Sequence, residues 1–109
     1  MYEYSASVLR TIDGDTCYLD VDLGFTTHVY SHIRLAHVNA PELHEAKGAE
    51  AKARFAELLA DGPLVIETTR DRREKYGRML AVILNASGID CGKQLLAEGL
   101  AVPYEGGRR

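Results

Sequence analysis

The stretch TCYLDVDLG, residues 16–24, alternates apolar and polar positions in the way that is typical of a β-strand with one buried and one wet face. Its apolar positions are Cys17, Leu19, Val21 and Leu23, and the positions between them are Tyr18, Asp20 and Asp22. Gly24 ends this strand, and residues 26–35 return as the next one. Two consecutive strands of this kind predict a sheet with one face in the core.

The sequence on either side adds three more strands and two helices. The segment IDGDT, residues 12–16, is a turn signal between the first two strands. After residue 45 the apolar residues recur at the spacing of one helix face, at Ala51, Phe55, Leu58 and Leu59. In chain order, the predicted elements are strands at 2–10, 16–24 and 26–35, a helix from Glu45 to about Asp61-Gly62-Pro63, strands at 64–69 and 78–84, and a helix at 90–98.

This order of elements is mainly β and of the α+β class, and it is compatible with a small closed barrel that carries helices on its flank. The length of 109 residues suits one domain, and shares of 46% hydrophobic and 27% charged residues are those of an ordinary globular protein. Only EGGRR, residues 105–109, has the composition of a frayed end. We therefore expect one domain over residues 1–104 and a flexible tail over residues 105–109.

The charge of the chain is unevenly distributed. The net charge of -3 and the pI near 5.8 do not point to nucleic acid, because nucleic-acid-binding domains often carry a basic excess. Residues 70–78 nevertheless contain a basic segment made of Arg70, Arg72, Arg73, Lys75 and Arg78. This segment is either a solvated hairpin tip or a local positive field that favours an anionic partner.

The two cysteines, Cys17 and Cys91, have neither the spacing of a zinc site nor that of a redox pair. We interpret both as reduced thiols, and a single disulfide is the alternative. The sequence shows no signal peptide and no apolar run of about 18 residues. We therefore expect no membrane partner and an intracellular, cytoplasmic protein, or a secreted one if a leader has been removed.

Three short segments combine charged residues with turn-forming ones: DGDT at 13–16, RLAHVNAPE at 34–42 and EKYGR at 74–78. In this order they resemble the three active-site segments of the staphylococcal nuclease (thermonuclease) family, whose usual forms are DGDT, R-L-x-x-I/V-D-x-P-E and D-K/R-Y-G-R. The resemblance continues in QLLAEGLA at 94–101, so it covers nearly the whole chain. One motif alone is a weak signal, but three in order on a matching strand pattern are specific.

The resemblance implies both a fold and an activity. The fold is a five-stranded oligonucleotide-binding (OB) barrel with two to three flanking helices. The activity is calcium-dependent hydrolysis of phosphodiester bonds by metal-assisted attack of an activated water, with Mn²⁺ or Mg²⁺ as alternatives to Ca²⁺. The implied substrates are RNA and DNA that is single-stranded or denatured, and we expect the protein to act as a monomer.

Carried over residue by residue, the resemblance makes Arg34, Glu42 and Arg78 the catalytic residues. The two arginines would hold the phosphate, and Glu42 would be the general base. The chemistry suits these residue types, because a phosphodiester repels its nucleophile and needs cations on its oxygens and a positioned base. An arginine fork holds phosphate through two bonds, which a lysine cannot do.

The resemblance also makes Asp15 a calcium ligand and places Asp13 one step further from the ion. Asn39 stands where the family usually has a second calcium-binding aspartate. Its amide oxygen can still coordinate, but the site loses one negative charge, and calcium affinity rises with the number of charged ligands. We therefore expect weak calcium binding, on the order of the millimolar range.

In the third motif, Lys75 and Tyr76 align with family residues that contact a terminal phosphate of a bound nucleotide, and Glu74 replaces the usual aspartate. Arg72 and Arg73 are further candidates for contact with the nucleic-acid backbone. Tyr104 lies near a base-stacking tyrosine of the family, but the alignment is shifted there by about one residue, so we assign it no role.

Each of these residues also has an ordinary structural interpretation. Asp15 in a turn can bond its own backbone, Tyr76 can be a packing residue, and Glu42 after a proline is usually solvated. The histidines form no i, i+4 pair on a predicted helix, so we interpret them as surface or packing residues: His28, His32, His37 and His44.

Three functional hypotheses follow. A small metal-dependent nuclease is favoured by the intact arginine pair and glutamate. A nucleic-acid or protein binding module that keeps the barrel but is catalytically weakened is the alternative, and Asn39 is its main argument. An unrelated barrel that binds oligosaccharide or peptide explains none of the three motifs.

Overall fold

The computed structural model describes residues 2–68 and 78–104. The predicted tail at 105–109 and the segment 69–77 lie outside the described residues. The strands are β1 (Tyr2–Thr11), β2 (Thr16–Gly24), β3 (Thr27–Leu35), β4 (Val38–Asn39), β5 (Leu64–Thr68), β6 (Met79–Leu84) and β7 (Val102–Pro103), and the helices are α1 (Gly48–Ala60) and α2 (Cys91–Ala97).

Five of the strands close into a barrel in the order β1-β2-β3-β6-β5. All neighbouring pairs are antiparallel except β3 and β6, which run parallel where Ile33 pairs with Met79 and Leu35 with Ala81. This mixed five-stranded barrel with two helices confirms the predicted OB-type fold of the α+β class. The short antiparallel pair β4–β7 was not predicted, because two residues are too few to show a period.

The apolar positions of β2 are buried, as the alternation predicts, over most of the strand. Cys17, Leu19 and Val21 are fully buried inside the barrel, whereas Leu23 is 45% exposed. The pairing of β1 with β2 reaches only as far as Asp22, so Leu23 lies beyond the closed part of the barrel. The prediction that Leu23 belongs to the buried face is therefore wrong.

Helix α1 covers one side of the barrel with the predicted face of Ala51, Phe55, Leu58 and Leu59, all of which are buried. Burial of a side chain such as Phe55 contributes about 1.5 to 3 kcal/mol. The helix begins at Gly48 rather than at the predicted Glu45. The backbone turns first, since the N–H of Glu45 donates to the carbonyl of Glu42 at 2.8 Å.

Both cysteines are free and buried, as expected for reduced thiols. Burial raises the pKa of the Cys17 thiol, and it raises the pKa of Cys91 to about 12, so neither is a thiolate nucleophile at neutral pH. Among the described residues, neither helix has the length and apolar composition needed to cross a membrane.

Candidate active site

The loops at one end of the barrel bring the predicted site residues together. Asp15 lies in the turn between β1 and β2, Arg34 near the end of β3, Asn39 in β4, and Arg78 immediately before β6. They share a cavity of about 350 Å³, whose lining residues are Asp13, Asp15, Arg34, Asn39, Ala40, Glu42, Leu43, His44 and Arg78. Every predicted catalytic and metal-binding residue is in this group.

Asp15 is a buried carboxylate that points into the site rather than into solvent. Its Oδ2 accepts a 2.9 Å hydrogen bond from the backbone N–H of Ala40, and its Oδ1 accepts one of 3.2 Å from Thr16 Oγ1. Arg34 Nη2 lies 3.4 Å from Oδ2. Desolvation raises the pKa of Asp15, and the Ala40 hydrogen bond and the charge of Arg34 offset this only in part. Burial thus disfavours the charged form of Asp15 more than its neighbours favour it.

Asp13 performs the turn role that was the structural alternative for Asp15. Its Oδ1 accepts a 3.1 Å hydrogen bond from the backbone N–H of Asp15. Gly14 between them allows the turn to pack closely, since a Cβ there would lie 2.8 Å from the Cβ atoms of both Ala40 and Ala51. The DGDT turn is therefore held in place by its own carboxylate and by the absence of a side chain at residue 14.

Arg34 is also buried, with 8% of its surface exposed. Its Nη1 donates 2.9 Å hydrogen bonds to the carbonyls of Leu35 and Val38, and its Nη2 donates one of 2.8 Å to Asn39 Oδ1. Its guanidinium carbon lies 5.2 Å from the ring centroid of Tyr104. Within the part of the chain that the structure describes, three of the five N–H donors are hydrogen-bonded, so Nε–H and one Nη2–H are those that can serve the Asp15 ion pair or a phosphate.

Thr16 links the two arginines, although no role was assigned to it from the sequence. Arg78 Nη1 donates a 3.1 Å hydrogen bond to Thr16 Oγ1, and Thr16 pairs with Arg34 across β2 and β3. The same hydroxyl bonds Asp15. The sequence did contain a signal for Thr16, because it is the last residue of the DGDT motif.

Glu42 stands at the rim of the cavity with 75% of its side chain exposed. Its Oε1 lies 3.7 Å from His44 Nδ1, and its backbone N–H donates a 2.6 Å hydrogen bond to Glu45 Oε1. The Glu42 backbone also packs against the start of α1, where a Cβ on Gly48 would lie 2.0 Å from the Glu42 carbonyl oxygen. The backbone of Glu42 is thus closely held while its carboxylate is accessible.

Tyr104 reaches the site through the β4–β7 pair. Its backbone N–H donates a 2.9 Å hydrogen bond to the carbonyl of His37, and its ring lies over Arg34. This contact joins residues far apart in sequence through strands too short to recognise by pattern. No sequence signal would have placed Tyr104 on Arg34.

The oxygen ligands at this site are of the type that a hard cation binds, but they are few. Asp15 supplies a buried carboxylate and Asn39 an amide oxygen, and both are ligands that Ca²⁺ and Mg²⁺ accept. Among the described residues, however, no three His, Cys, Asp or Glu side chains converge on one point. All four histidines are exposed, as expected for surface residues. One of them, His28, has its Nδ1 2.7 Å from Asp20 Oδ1.

The four candidates for nucleic-acid contact are not placed by the structure. Lys75, Tyr76, Arg72 and Arg73 lie outside the described residues, so their roles stay predictions. The catalytic and metal-binding roles of the other residues also stay predictions.

Comparison with known proteins gives matches to a nuclease family and to proteins named as nucleases. The family model described as staphylococcal nuclease homologue matches residues 32–109, which include Arg34, Asn39, Glu42 and Arg78. Endonuclease YhcR of Bacillus subtilis is 27% identical over 94% of this chain, and the SPbeta prophage-derived endonuclease YokF of that bacterium is 35% identical over 84%. A micrococcal nuclease of Shigella flexneri is 33% identical over 74% of this chain.

These relatives are longer proteins than the present chain. The alignments cover 9% of the first, 31% of the second and 42% of the third. The chain thus spans less than half the length of each of these three relatives.

Proposed function

Because the chain belongs to the staphylococcal nuclease family, we propose that it hydrolyses phosphodiester bonds of DNA or RNA with the help of a divalent cation, and that this cation is Ca²⁺. One observation carries the proposal. Two arginines, a buried carboxylate and an exposed glutamate line one cavity, and the Thr16 hydroxyl bonds two of these residues, Arg78 and Asp15. Positive charge for a phosphate and a base for water are thus held in the same place.

In the proposed reaction the arginines bind the phosphate. Arg78 is oriented by its hydrogen bond to Thr16, and Arg34 by its bonds to the carbonyls of Leu35 and Val38. Both side chains are therefore positioned before substrate arrives, which lowers the entropic cost of phosphate binding. Their charges stabilise the negative charge on the phosphate oxygens in the transition state.

Glu42 accepts the proton of the attacking water in this proposal. Its exposed carboxylate meets solvent at the rim of the cavity, so water reaches it without a conformational change. As the new oxygen–phosphorus bond forms, the bond from phosphorus to the leaving sugar oxygen breaks. A base in this position contributes about 10² to 10⁴ in rate.

Asp15 and Asn39 are the residues that would hold the cation, and Asp13 fixes the backbone of Asp15. A bound divalent cation would add positive charge beside the phosphate oxygens. The burial of the Asp15 carboxylate supports this assignment, because a cation would stabilise its charged form there. Asn39 supplies no charge, which supports weak binding of Ca²⁺.

The proposal is tested by a nuclease assay on denatured DNA and on RNA with Ca²⁺, Mg²⁺ or Mn²⁺ and with a chelator. We expect turnover with Ca²⁺ that the chelator abolishes. The Arg78→Ala variant, purified in the same way, controls for contaminating nuclease. Turnover that is equal in this variant, or that survives the chelator, contradicts the proposed mechanism.

A weakened binding module is the second candidate, and one contact favours it. Asn39 Oδ1 already accepts a hydrogen bond from Arg34 in this structure, so the amide oxygen and one arginine donor satisfy each other. A protein of this kind would bind denatured DNA without turnover under any of the three ions. The same assay, run beside a binding measurement, therefore separates the two functions.

A further inference from the structure

We infer that the outer face of the β2–β3 ribbon is a base-stacking subsite for single-stranded nucleic acid, with Tyr18, His32 and Tyr30 as its platform. The inference rests on the proposed function, since it assigns the nucleotides next to the phosphate held in the active site. It concerns residues to which neither the motifs nor the family match assigns a role.

The platform lies on the same face of the ribbon as the active site. Successive cross-strand pairs on this face are Thr16 with Arg34, Tyr18 with His32, and Asp20 with Tyr30. The residues between them, such as Cys17 and Ile33, are buried inside the barrel. The active-site pair is thus the first step of a row that continues along the outer surface.

The spacing of this row suits consecutive nucleotides. Residues two apart on a strand are about 6.7 Å apart, so Tyr18 and His32 lie one such step from Arg34, and Tyr30 lies about 13 Å from it. One step is comparable with the length of an extended nucleotide. A strand whose phosphate is held by Arg34 and Arg78 would place its next bases over the two aromatic steps.

The side chains form a contiguous aromatic surface. The rings of Tyr18 and His32 have centroids 4.6 Å apart with an interplanar angle of 41°, and Tyr30 meets Tyr18 edge to face at 6.4 Å. Tyr30 is 61% exposed, and the guanidinium carbon of Arg10 lies 6.0 Å from the Tyr18 ring centroid. Exposed rings beside a cation are what proteins use to stack unpaired bases without sequence preference.

Two carboxylates share this face, but each is engaged by a neighbour. Asp20 Oδ1 lies 2.7 Å from His28 Nδ1, and Asp22 Oδ1 accepts a 2.8 Å hydrogen bond from the N–H of Gly24. The hydrogen bond with Asp20 raises the pKa of His28, so the protonated ring is favoured and offsets the Asp20 charge. The repulsion of a passing phosphate chain is thereby reduced.

Binding rather than turnover is the direct test. Fluorescence anisotropy would be measured with Ca²⁺ present for labelled tetranucleotides of thymidine and of uridine, in a Glu42→Gln background in which we expect cleavage to be about 10² to 10⁴ slower. Thymidine 3′,5′-bisphosphate, detected by competition, is the probe too short to reach the platform. We expect Tyr30→Ala to weaken tetranucleotide binding by about 5- to 150-fold and to change binding of the bisphosphate by less than about twofold.

Two matched variants complete the design. Tyr30→Phe keeps the ring and should bind like the parent protein. Phe25→Ala removes an aromatic side chain that is 99% exposed in the turn of the same hairpin. This turn precedes the first residue of β3, Thr27, which is itself about 24 Å along the strand from Arg34. Three steps of about 6.7 Å do not reach that far, so binding should be unchanged. A loss with either the DNA or the RNA probe supports the platform.

The inference is overturned if Tyr30→Ala binds both tetranucleotides like the parent, or if the bisphosphate loses affinity to the same extent. Its failure is distinguishable from failure of the proposed function. Selective loss of tetranucleotide binding in a protein that shows no turnover would retain the platform and reject the nuclease. Turnover in a protein whose Tyr30 variants bind normally would retain the nuclease and reject the platform.

Discussion

Arg34 Nη2 donates a 2.8 Å hydrogen bond to Asn39 Oδ1, and the same nitrogen lies 3.4 Å from Asp15 Oδ2. One guanidinium group therefore contacts both side chains that we propose as cation ligands. A bound divalent ion and this arginine would compete for the same two oxygens, and only one of the two residues carries a negative charge. The chemistry at residue 39 should consequently control how well the site holds an ion.

The Asn39→Asp variant tests this relationship. It adds a second negative charge at nearly the same volume, which satisfies Arg34 and strengthens cation binding together. We expect the Ca²⁺ concentration for half-maximal cleavage to fall by on the order of tenfold. Asn39→Ala, which removes the oxygen, should shift it the other way. Identical calcium dependence in all three proteins would mean that residue 39 does not face the ion.

The Glu42→Gln variant tests the general base. Because the side chain is 75% exposed, the melting temperature should not change, while kcat falls by about 10² to 10⁴. Glu50→Gln, an exposed substitution in the first turn of α1, is the matched control and should retain activity. A folded Glu42→Gln protein that cuts at the parental rate would exclude Glu42 from the mechanism.

The Arg34→Lys variant should lose both activity and stability. A lysine cannot keep the bonds to the carbonyls of Leu35 and Val38 or grip a phosphate through two nitrogens. Loss of these buried bonds should cost about 2 to 4 kcal/mol and lower the melting temperature by on the order of 10 °C. Near-native stability and turnover would show that the forked geometry is dispensable.

Arg54→Lys is the control for this substitution. Arg54 forms ion pairs with Glu57 and Glu98 on the surface, and pairs of this kind contribute little to stability. The melting temperature of Arg54→Lys should therefore stay within a few degrees of the parent. A loss as large as that of Arg34→Lys would mean that burial is not the cause.

The Gly48→Ala variant tests the support beneath Glu42. The added Cβ would lie 2.0 Å from the Glu42 carbonyl oxygen, so the backbone must shift and carry the base with it. A displacement of about 1 Å costs on the order of 10² in rate, and we expect kcat to fall to that extent. Gly92→Ala in α2, where the new Cβ meets Val38 at 3.4 Å, should have much less effect. Equal activity of the two variants would contradict this role of Gly48.

The salt dependence of binding tests the basic segment. If Arg72, Arg73 and Lys75 touch the nucleic-acid backbone, alanine at each should reduce the slope of log affinity against log salt by about 0.7. Lys93→Ala, at an exposed position on α2, is the charge-matched control and should leave the slope unchanged. Slopes that remain parental in all three variants would assign the segment to a solvated surface.

Much of the fold and part of the site followed from the sequence. The strand alternation and the helix face of Phe55 and Leu58 were predictable, since each element repeats a local period over several residues. The three motifs identified Asp15, Arg34, Asn39, Glu42 and Arg78, and the structure places them around one cavity. Residue type and order were sufficient for that, because each motif is short and continuous.

The connections between these residues were decided only by the tertiary structure. The Thr16 bridge to Arg78, the contact of Tyr104 with Arg34, and the hydrogen bond from Ala40 to Asp15 join segments that no local pattern relates. The β4–β7 pair that brings Tyr104 to the site has only two residues in each strand. A sequence period reports which face of an element is buried, but which atoms meet depends on barrel closure and strand register, and these are properties of the whole chain.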